Sequence, residues 1–455
     1  MIKPIFAFFR VLKALIVITH YGGFKPLLQF TRSLFLLRFW IFICGGYKNR
    51  GGLSAAMEHL GPAYIKIGQF LATRRDILPL EMCEDLARLQ DRVPSFPKEH
   101  AIKQIETEFE CKISDLFSEF SDPIAAASVA QVHFATLKEN NRKVAIKILR
   151  PNIHARFDKD IYTFFVGAKL LNFFIPKARR LKFPEVVEVF SEWVKYELDL
   201  RMEAASISEY HQQIHDVSNV VIPNLYWEYT GHKVLTMQFI EGTPLTDLEG
   251  LKKLDHNLKD IARQLMQLFL NDATSHGFFH GDLHQGNIII TPEGKIALLD
   301  FGVMGRLDER SRNYLARILY GFVIRDYKSI ARLHFEAGYV SSDQNVNRFA
   351  QSLRAIGEPL FDKMAGEISM ARVLSALFAV TENFRMETRP ELILLQKNMV
   401  SIEGICGRLD PTSNIWVTAR PLLEDWVKEN LSPQRQIEDF VRKALTKLYK
   451  QVFEH

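Results

Sequence analysis

Cysteine is scarce in this chain and has no spacing that carries chemistry. The 455 residues include four cysteines, with no CxxC pair and no histidine at metal-ligand spacing. This usage argues against a disulfide framework and against a zinc site, and it is typical of a reducing compartment. The four are Cys44, Cys83, Cys111 and Cys406.

Acidic residues are absent from the first 57 positions, which carry eight Lys or Arg residues. The remainder has 50 basic and 53 acidic residues, so the formal charge of +5 arises from the N-terminus. The main body therefore gives no support for nucleic-acid binding. Its length and composition are those of a folded globular protein with one large or two ordinary domains.

An uncharged apolar run long enough to cross a bilayer is also missing. Such a helix needs roughly 18 or more nearly uncharged residues, whereas the N-terminal apolar runs are separated by Arg10 and Lys13 and flanked by Arg32 and Arg38. Apolar surface with cations and no anions is typical of a helix that lies among the headgroups of an anionic leaflet. We therefore expect residues 1–50 to contact a membrane surface.

Two other interpretations of this segment stay open. It is consistent with a helical layer packed on the body, or with a mitochondrial transit peptide, although such peptides are usually less apolar. No small-residue cleavage site follows it, which argues against a secretory signal. The last 40 residues are amphipathic and charged, which predicts no membrane span there.

The rest of the chain is predicted to form a mostly β lobe, a hinge at residues 241–244 and a mostly α lobe. Residues 51–118 have a helical pattern, and a helix that opens at Pro184 is predicted to run to about Tyr210. Strands are predicted at 129–137, 143–149 and 233–240, and a hairpin in the second lobe has its arms at 287–290 and 295–299.

The residues expected for phosphoryl transfer lie on both sides of the hinge. This reaction needs a carboxylate near the attacking oxygen and oxygen ligands for Mg²⁺. In the sequence HGDLHQGN, Asp282 is predicted to orient or deprotonate the nucleophile and Asn287 to hold a metal ion. Asp300, which opens DFG, is predicted to join the metal to the phosphates, and Lys147 of VAIK to neutralise them. Each motif alone is commonplace, but their order and spacing predict a Mg-ATP site.

Two parts of an ordinary protein kinase are missing. An alanine-rich loop replaces the glycine-rich phosphate loop, and because alanine lacks glycine's access to positive φ, we expect a stiffer loop. A helix is predicted to begin near Asp308, which leaves no room for a long activation segment or an APE sequence. The cradle for a peptide substrate is therefore absent. The alanine-rich loop comprises Ile124, Ala125, Ala126, Ala127, Ser128, Val129, Ala130, Gln131 and Val132.

Two further patterns place charges outside the usual kinase motifs. Asp199 and Glu203 are four apart and predicted to share a helix face, which is unfavourable unless cations approach. Lys147 and Lys66 are the candidate cations, and a solvated acidic face is the alternative. The first pattern is the KxGQ motif, Lys66-Ile67-Gly68-Gln69. The second is the ExD motif, Glu197-Leu198-Asp199, which is followed by Glu203.

With these motifs, the chain resembles the UbiB family of atypical kinase-like proteins over about residues 50–430. The combination of KxGQ, the alanine-rich loop and the sequence EGICGRLDP at 403–411 is specific, whereas HGDLHxGN also occurs in choline and aminoglycoside kinases. The resemblance implies an α+β, two-lobed protein-kinase-like fold, with a small mostly β N-lobe, a large helical C-lobe and an N-terminal helical extension over the usual substrate cleft. The implied boundaries are 1–50 for the basic apolar segment, 51–120 for the KxGQ extension, 121–242 for the N-lobe and 243–455 for the C-lobe.

The resemblance also implies residue roles. Lys147 is expected to pair with Glu203, and these two act with Asp282 as catalytic residues. ATP is expected to bind the alanine-rich loop and Lys147, and Asn287 and Asp300 are expected to ligate Mg²⁺. The remaining nucleotide-binding residues implied by the family are Lys66, Gln69, Glu197 and Asp199.

The function implied is that of a Mg²⁺-dependent ATPase or atypical kinase that supports ubiquinone biosynthesis. It would be peripheral to the cytoplasmic face of a bacterial inner membrane. Its expected partners are nucleotide, an anionic membrane surface, and ubiquinone-precursor lipids or pathway enzymes, with no nucleic acid. Two alternatives stay open, namely a nucleotide-gated binding protein without turnover and a small-molecule kinase.

Three departures from the family pattern lead to further expectations. Leu200 stands where phenylalanine usually follows the ExD motif, which is expected to alter packing only. Gly281, Leu283 and Gln285 replace an alanine and two prolines in the catalytic loop, which is expected to be less fixed. Many bacterial relatives end in hydrophobic spans that are not seen here, so attachment is expected to depend on the N-terminus or on partners.

Overall fold

The computed structural model describes residues 2–26, 51–72, 74, 77–89, 93–175, 179, 181–215, 217–254, 256–361, 380, 384, 390–412 and 415–430. The predictions made for residues 27–50 and 431–455 lie outside this described part. The chain divides into two compact units. Unit 1 comprises Met1–Glu209 and Pro223–Phe239, and unit 2 comprises Tyr210–Ile222 and Ile240–His455.

Unit 1 begins with helices, in agreement with the helical pattern expected there. They are α1 (Ile2–His20), α2 (Gly52–Leu60), α3 (Pro62–Ala72), α4 (Leu80–Leu86), α5 (Lys98–Phe109) and α6 (Ile113–Leu116). After three strands come α7 (Ile153–Phe174), α8 (Phe183–Glu197) and α9 (Leu200–Gln213), and the chain passes into unit 2 within α9.

The first helices form a layer with its own apolar core. Asp85 of α4 accepts hydrogen bonds from the backbone N–H groups of Leu53 and Ser54 and so satisfies the open N-terminus of α2. Position 68 of α3 is a glycine, and a Cβ there would lie 2.4 Å from the Leu89 side chain, so a larger residue would clash. The buried residues of this core are Ala14, Leu53, Met57, Tyr64, Met82, Leu86 and Leu89.

One face of α1 packs on the body, and the other is exposed and apolar. Ala7 and Ala14 are buried, Val11 packs over Gly167 of α7, and Arg10 is 2.5 Å from Asp160. The interpretation as a packed helical layer thus holds for this face. Six large apolar side chains of α1 are exposed: Ile5, Phe6, Phe8, Phe9, Leu15 and Ile16. Among the residues described, no helix is both long and apolar enough to cross a membrane.

The sheet of unit 1 is antiparallel. It contains β1 (Phe117–Ala126), β2 (Ala130–Leu137), β3 (Lys143–Leu149) and β5 (Val234–Gln238) in the order β1-β2-β3-β5, while β4 (Val220–Val221) belongs to unit 2. The three strands after β1 were expected, but β1 was not. It contains Pro123 and pairs with β2 in an irregular register, as an edge strand tolerates because its outer N–H groups need no strand partner.

Unit 2 is mostly helical, with two small sheets. Its helices are α10 (Leu248–Lys253), α11 (Leu258–Asn271), α12 (Glu309–Val323), α13 (Tyr327–Glu336), α14 (Val346–Phe361), α15 (Pro390–Leu409) and α16 (Ile415–Asn430). Its strands are β4, β6 (Thr243–Pro244), β7 (Phe278–His280), β8 (Ile288–Ile290), β9 (Ile296–Leu298) and β10 (Met304–Arg306). β4-β9-β8-β6 form one sheet, and β7 pairs with β10.

Two local predictions for unit 2 are confirmed. The expected hairpin is β8–β9, in which Ile288 pairs with Leu298 and Ile290 with Ile296. The helix expected near Asp308 is α12, and the Asp308 side chain accepts a hydrogen bond from the N–H of Ser311 at 2.7 Å. This is an ordinary N-cap, which explains why the helix begins there.

Candidate functional site

Lys147 is held by an ion pair on the face of β3 that lies away from the sheet core. The alternate residues Val144, Ile146 and Ile148 are buried in that core, so the pleat directs Lys147 to the other face. Its Nζ donates to Oε1 and Oε2 of Glu203 on α9 at 2.8 and 2.9 Å. The two side chains are only 12% and 6% exposed. The pairing that the family resemblance implied is therefore present.

The predicted unbroken helix of residues 184–210 is interrupted. α8 ends at Glu197 and α9 begins three residues later. Asp199 lies in the link, so the prediction that it shares a helix face with Glu203 is wrong. Its carboxylate accepts a hydrogen bond from the N–H of Arg201 at 3.1 Å, which satisfies one of the open N–H groups at the start of α9. An Asp directly before a helical stretch was the signal for this boundary.

Of the two lysines predicted to approach Asp199 and Glu203, Lys147 contacts Glu203, whereas the cations beside Asp199 are Arg201 and His232. Arg201 donates from Nε at 3.0 Å and from Nη2 at 2.8 Å, and Nδ1 of His232 is 3.2 Å away. Partial burial would raise the pKa of Asp199, but the bonds from Arg201 and the nearby His232 hold this pKa below its usual value. Asp199 is thus kept ionised by its own neighbours.

Lys66 lies at the contact between α3 and α8. It is buried and forms an ion pair with Glu197, the last residue of α8. Its Nζ lies 5.8 Å from the ring centroid of Trp193, and Phe70 packs against the same ring. The expectation that Lys66 lies near the ExD motif is met at Glu197. Gln69 belongs to the same helix, α3.

Of the predicted alanine-rich loop, residues 124–126 belong to β1 and residues 130–132 to β2, so only residues 127–129 join the two strands. This link is fixed by Arg150, which lies outside the predicted motifs. The Arg150 guanidinium donates to the Ala127 carbonyl at 2.8 and 3.1 Å. Its backbone N–H donates to the Val129 carbonyl at 2.8 Å. Gln131 is buried, with its side chain bonded to the backbone of Phe96. The loop is therefore held in one conformation by side chains of unit 1.

Ser128, in this loop, is fully buried, and its hydroxyl has no hydrogen-bond partner among the residues described. Buried polar atoms are nearly always satisfied by protein, water or a ligand. An unsatisfied hydroxyl in a loop otherwise rich in alanine therefore fits a phosphate or ribose oxygen. This observation favours a nucleotide near Ser128.

The second group of predicted residues surrounds the β8–β9 hairpin in unit 2. Asn287 directly precedes β8 and Asp300 follows β9 by two residues, and Leu299 N–H donates to the Asn287 carbonyl at 2.9 Å. The Asn287 Nδ2 donates to the Asp282 carbonyl at 3.2 Å, which leaves the amide oxygen as a possible metal ligand. Asp300 has a φ of 42°, and its carboxylate accepts a bond from Gly302. The fold thus brings Asp282, Asn287 and Asp300 to one end of the hairpin.

The segment after Asp300 is fixed by packing as well as by pairing. Phe301 is buried, with its ring centroid 5.4 Å from those of Tyr210 and His280. Tyr210 donates a hydrogen bond to the buried carboxylate of Asp272, and burial raises the pKa of this carboxyl. Met304 pairs with His280 where β10 meets β7. The DFG and HGD sequences are therefore held in register.

The catalytic loop, which is predicted to be less fixed than in the family pattern, has backbone hydrogen bonds to α15 and to Val303. The buried Asn398 of α15 donates from Nδ2 to the His280 carbonyl at 2.6 Å and accepts from the Leu283 N–H at 3.0 Å. Gly281 N–H donates to the Val303 carbonyl at 2.8 Å, and a Cβ at Gly281 would lie 2.9 Å from that oxygen. Glycine here permits the close approach of two backbone segments.

His280 is neutral in this arrangement. It is fully buried, and burial lowers its pKa. Its Nδ1 accepts a hydrogen bond from the Asp282 N–H at 3.1 Å, so its proton is on Nε2, which faces the Leu299 carbonyl at 3.3 Å. His280 therefore joins the catalytic loop to the end of β9.

The oxygen ligands offered by Asn287 and Asp300 suit Mg²⁺ that is bound together with a phosphate, rather than a metal ion held by protein alone. Over the part of the chain that the structure describes, no group of three or more His, Cys, Asp or Glu side chains is placed to hold a metal ion. Mg²⁺ commonly takes one or two carboxylates and completes its octahedron with substrate phosphates and water. The Asp300 carboxylate and the Asn287 amide oxygen fit that role.

Two family models match the chain. Residues 88–334 match the family model of the ABC1 atypical kinase-like domain, and residues 353–414 match that of the UbiB helical domain. The chain belongs to the UbiB family of atypical kinase-like proteins. Its family resemblance is therefore confirmed, and α15 lies within the residues that match the UbiB helical domain.

Bacterial relatives match most of the chain. The chain is 39% identical over 419 residues to the "Probable protein kinase UbiB" of Marinobacter nauticus, covering 90% of this chain and 76% of that protein. It is also 39% identical over 393 residues to the protein of the same name from Pseudomonas aeruginosa, covering 85% and 74%.

A solved structure supports the fold. The Rv3197–erythromycin complex from Mycobacterium tuberculosis has a TM-score of 0.52 and 22% identity, covering 80% of this chain and 92% of that one. With the family match, it confirms the predicted α+β kinase-like fold.

Proposed function

We propose that this protein is a Mg²⁺-dependent, ATP-hydrolysing member of the UbiB family that supports ubiquinone biosynthesis at a membrane. The observation that carries the proposal is the nearly buried, bidentate contact of Lys147 with Glu203. Removing either partner of such a pair would leave an uncompensated buried charge. A lysine held in this way keeps its position for nucleotide phosphates, as an active kinase-like site requires.

The other residues have complementary proposed roles. Asp282 orients the attacking oxygen and receives its proton, and Ser128 donates to a nucleotide oxygen. Bound Mg²⁺ would neutralise charge on the β- and γ-phosphates. Asn287 and Asp300 offer it oxygen ligands, and the short link from Asp300 to α12 offers no cradle for a peptide. Hydrolysis or transfer to a small acceptor is therefore favoured over phosphorylation of proteins.

The pathway and the location come from the family name and from α1. The relatives are named protein kinase UbiB, and we propose the ubiquinone pathway on that basis. The exposed apolar face of α1, together with Lys13 and the absence of acidic residues before Glu58, suits the surface of an anionic leaflet. A peripheral position on the cytoplasmic face of a bacterial inner membrane is the proposed location, with precursor lipids or pathway enzymes as partners.

The proposal is tested by Mg²⁺-dependent ATP hydrolysis with the purified protein, with and without phosphatidylglycerol-containing vesicles. We expect turnover that rises with the vesicles and is lost in Asp300→Asn, which removes the negative charge of a proposed metal ligand while keeping side-chain size. Absence of nucleotide binding in the unmodified protein would refute the proposal.

A nucleotide-gated binding protein without turnover is the second candidate. The buried ion pair between Lys66 and Glu197 favours it, because it connects the helical layer of α2–α4 to the end of α8. A nucleotide that displaced Glu197 would disturb this layer without any bond being broken. Normal pathway function of an Asp282→Asn variant that still binds nucleotide would favour this candidate over catalysis.

A further inference from the structure

α15 of the UbiB helical domain contacts the catalytic loop through two successive residues. Asn398 is fully buried and bonds the backbone of His280 and Leu283 on either side of Asp282. Lys397 donates from Nζ to Oδ1 of Asp282 at 2.7 Å. The loop and the helix are 115 residues apart in sequence, so no local motif revealed this contact.

The two contacts differ in character. Asn398 satisfies buried backbone groups, which fixes α15 against the loop. Successive helical residues point about 100° apart, so Lys397 leaves the buried face and approaches the carboxylate from the solvent side. Lys397 is 56% exposed and the Asp282 side chain 36%, and an ion pair this open to water adds little to stability. Its consequence is the position of the Asp282 carboxylate.

The catalytic loop lacks a permanent cation of its own. Between His280 and Asn287 it contains no Lys or Arg. The only histidine between these two residues is His284, and its Nδ1 accepts a hydrogen bond from the Gly286 N–H at 3.1 Å. Phosphoryl transfer develops negative charge on the equatorial phosphate oxygens, and fixed cations stabilise it. Lys397 is the cation that the fold supplies next to Asp282.

We propose that Lys397 is a positioning residue for Asp282 and that its ammonium also faces the γ-phosphate of bound ATP. This inference rests on the proposed nucleotide site and adds the helical domain to it. In this proposal, Asp282 remains the group that receives the proton of the attacking oxygen. The helical domain then contributes directly to phosphoryl transfer.

Lys397→Gln and Lys397→Arg test the proposal, with Lys328→Gln as the matched control. Lys328 is an exposed lysine on α13 of the same unit. For each protein, Mg-ATP and Mg-ADP affinities are measured by calorimetry, kcat by phosphate release, and the melting temperature by scanning fluorimetry. We expect Lys397→Gln to lower kcat by about a hundredfold. The affinity for Mg-ATP should fall by about tenfold, while the affinity for Mg-ADP should not change. Arginine should restore most of the ATP affinity, because it keeps the charge.

The outcomes separate this inference from the proposed function. A Lys397→Gln variant with unchanged kcat and an unchanged ratio of ATP to ADP affinity would overturn the role of Lys397 and leave the ATPase proposal intact. Equal weakening of both nucleotides would overturn it too, since that indicates general disturbance. If the unmodified protein binds nucleotide without turnover, the ratio of ATP to ADP affinity in Lys397→Gln still tests the role of Lys397. Failure of the unmodified protein to bind either nucleotide would remove both proposals.

Discussion

Asn398 stabilises the catalytic loop, because its side chain satisfies two backbone groups that have been removed from water. Asn398→Ala leaves the His280 carbonyl and the Leu283 N–H without this partner, and each unsatisfied buried group costs roughly 1–3 kcal/mol. We expect the free energy of unfolding to fall by about 2–4 kcal/mol, measured by urea denaturation. Asn347→Ala, on the exposed face of α14, should change it by less than about 0.5 kcal/mol. Equal effects of the two substitutions would contradict this stabilising role.

Single residues also mark how far sequence reasoning reaches. Lys147, Asp282, Asn287 and Asp300 lie within short motifs whose spacing is set by local backbone geometry. The partners that fix the surrounding loops are far from those loops in sequence and leave no local pattern, as Asn398 shows for the catalytic loop and Arg150 for the alanine-rich loop. At Asp199, the N-cap preference of Asp outweighs the pattern of charges four residues apart, so the helix begins after it.

At the scale of elements, the buried His334 makes the packing of α13 on α14 sensitive to acid. Its ring packs on Phe349 at 5.2 Å between centroids, and its Nδ1 donates to the Ile330 carbonyl at 2.8 Å. Burial lowers its pKa from 6.5 to about 4. The unfolded chain therefore binds a proton that the folded chain excludes, so the contribution of His334 is complete above pH 6.5 and is lost as the pH falls towards 4.

We expect acidification from pH 7 to 4 to remove about 3 kcal/mol of unfolding free energy through this group, and His334→Gln to remove that part of the slope. The slope is measured by urea denaturation at a series of pH values. His280, which is also buried, acts in the same direction, so part of the slope remains. His211→Gln, at an exposed position of α9, is the control. An unchanged slope in His334→Gln would show that folding does not lower the pKa of His334.

Elements with a regular period were predicted well, and those shaped by tertiary contacts were not. β2, β3, β5 and the β8–β9 hairpin have apolar runs bounded by turn residues, which specify strands locally. β1 combines Pro123 with charged residues and is stable because β2 lies beside it. The break between α8 and α9 likewise depends on bonds from Arg201 and His232, which a helical period cannot show.

At the scale of the whole molecule, the feature of interest is how α1 divides its surface between a buried face and an exposed apolar face. The family and the kinase-like fold follow from combined motifs, but how α1 divides its surface does not, because apolar residues occur all around the helix. The structure shows that small residues, Ala7 and Ala14, take the buried side and that the phenylalanines are left outside. Exposing so much apolar surface to water is unfavourable and typical of an interaction surface.

Phe6 and Phe9 of α1 are 64% and 61% exposed, and together they test whether this surface meets lipid. Moving a large apolar side chain from water into lipid contributes roughly 1.5–3 kcal/mol, so the double variant Phe6→Glu, Phe9→Glu should bind anionic vesicles at least about tenfold more weakly in co-sedimentation. Unmodified protein should release as salt is raised, because the Debye length shortens to about 3 Å at 1 M. Trp227→Glu, which alters an exposed aromatic residue elsewhere in unit 1, should bind as the unmodified protein does. Unchanged binding of the double variant would assign the exposed face of α1 to something other than the membrane.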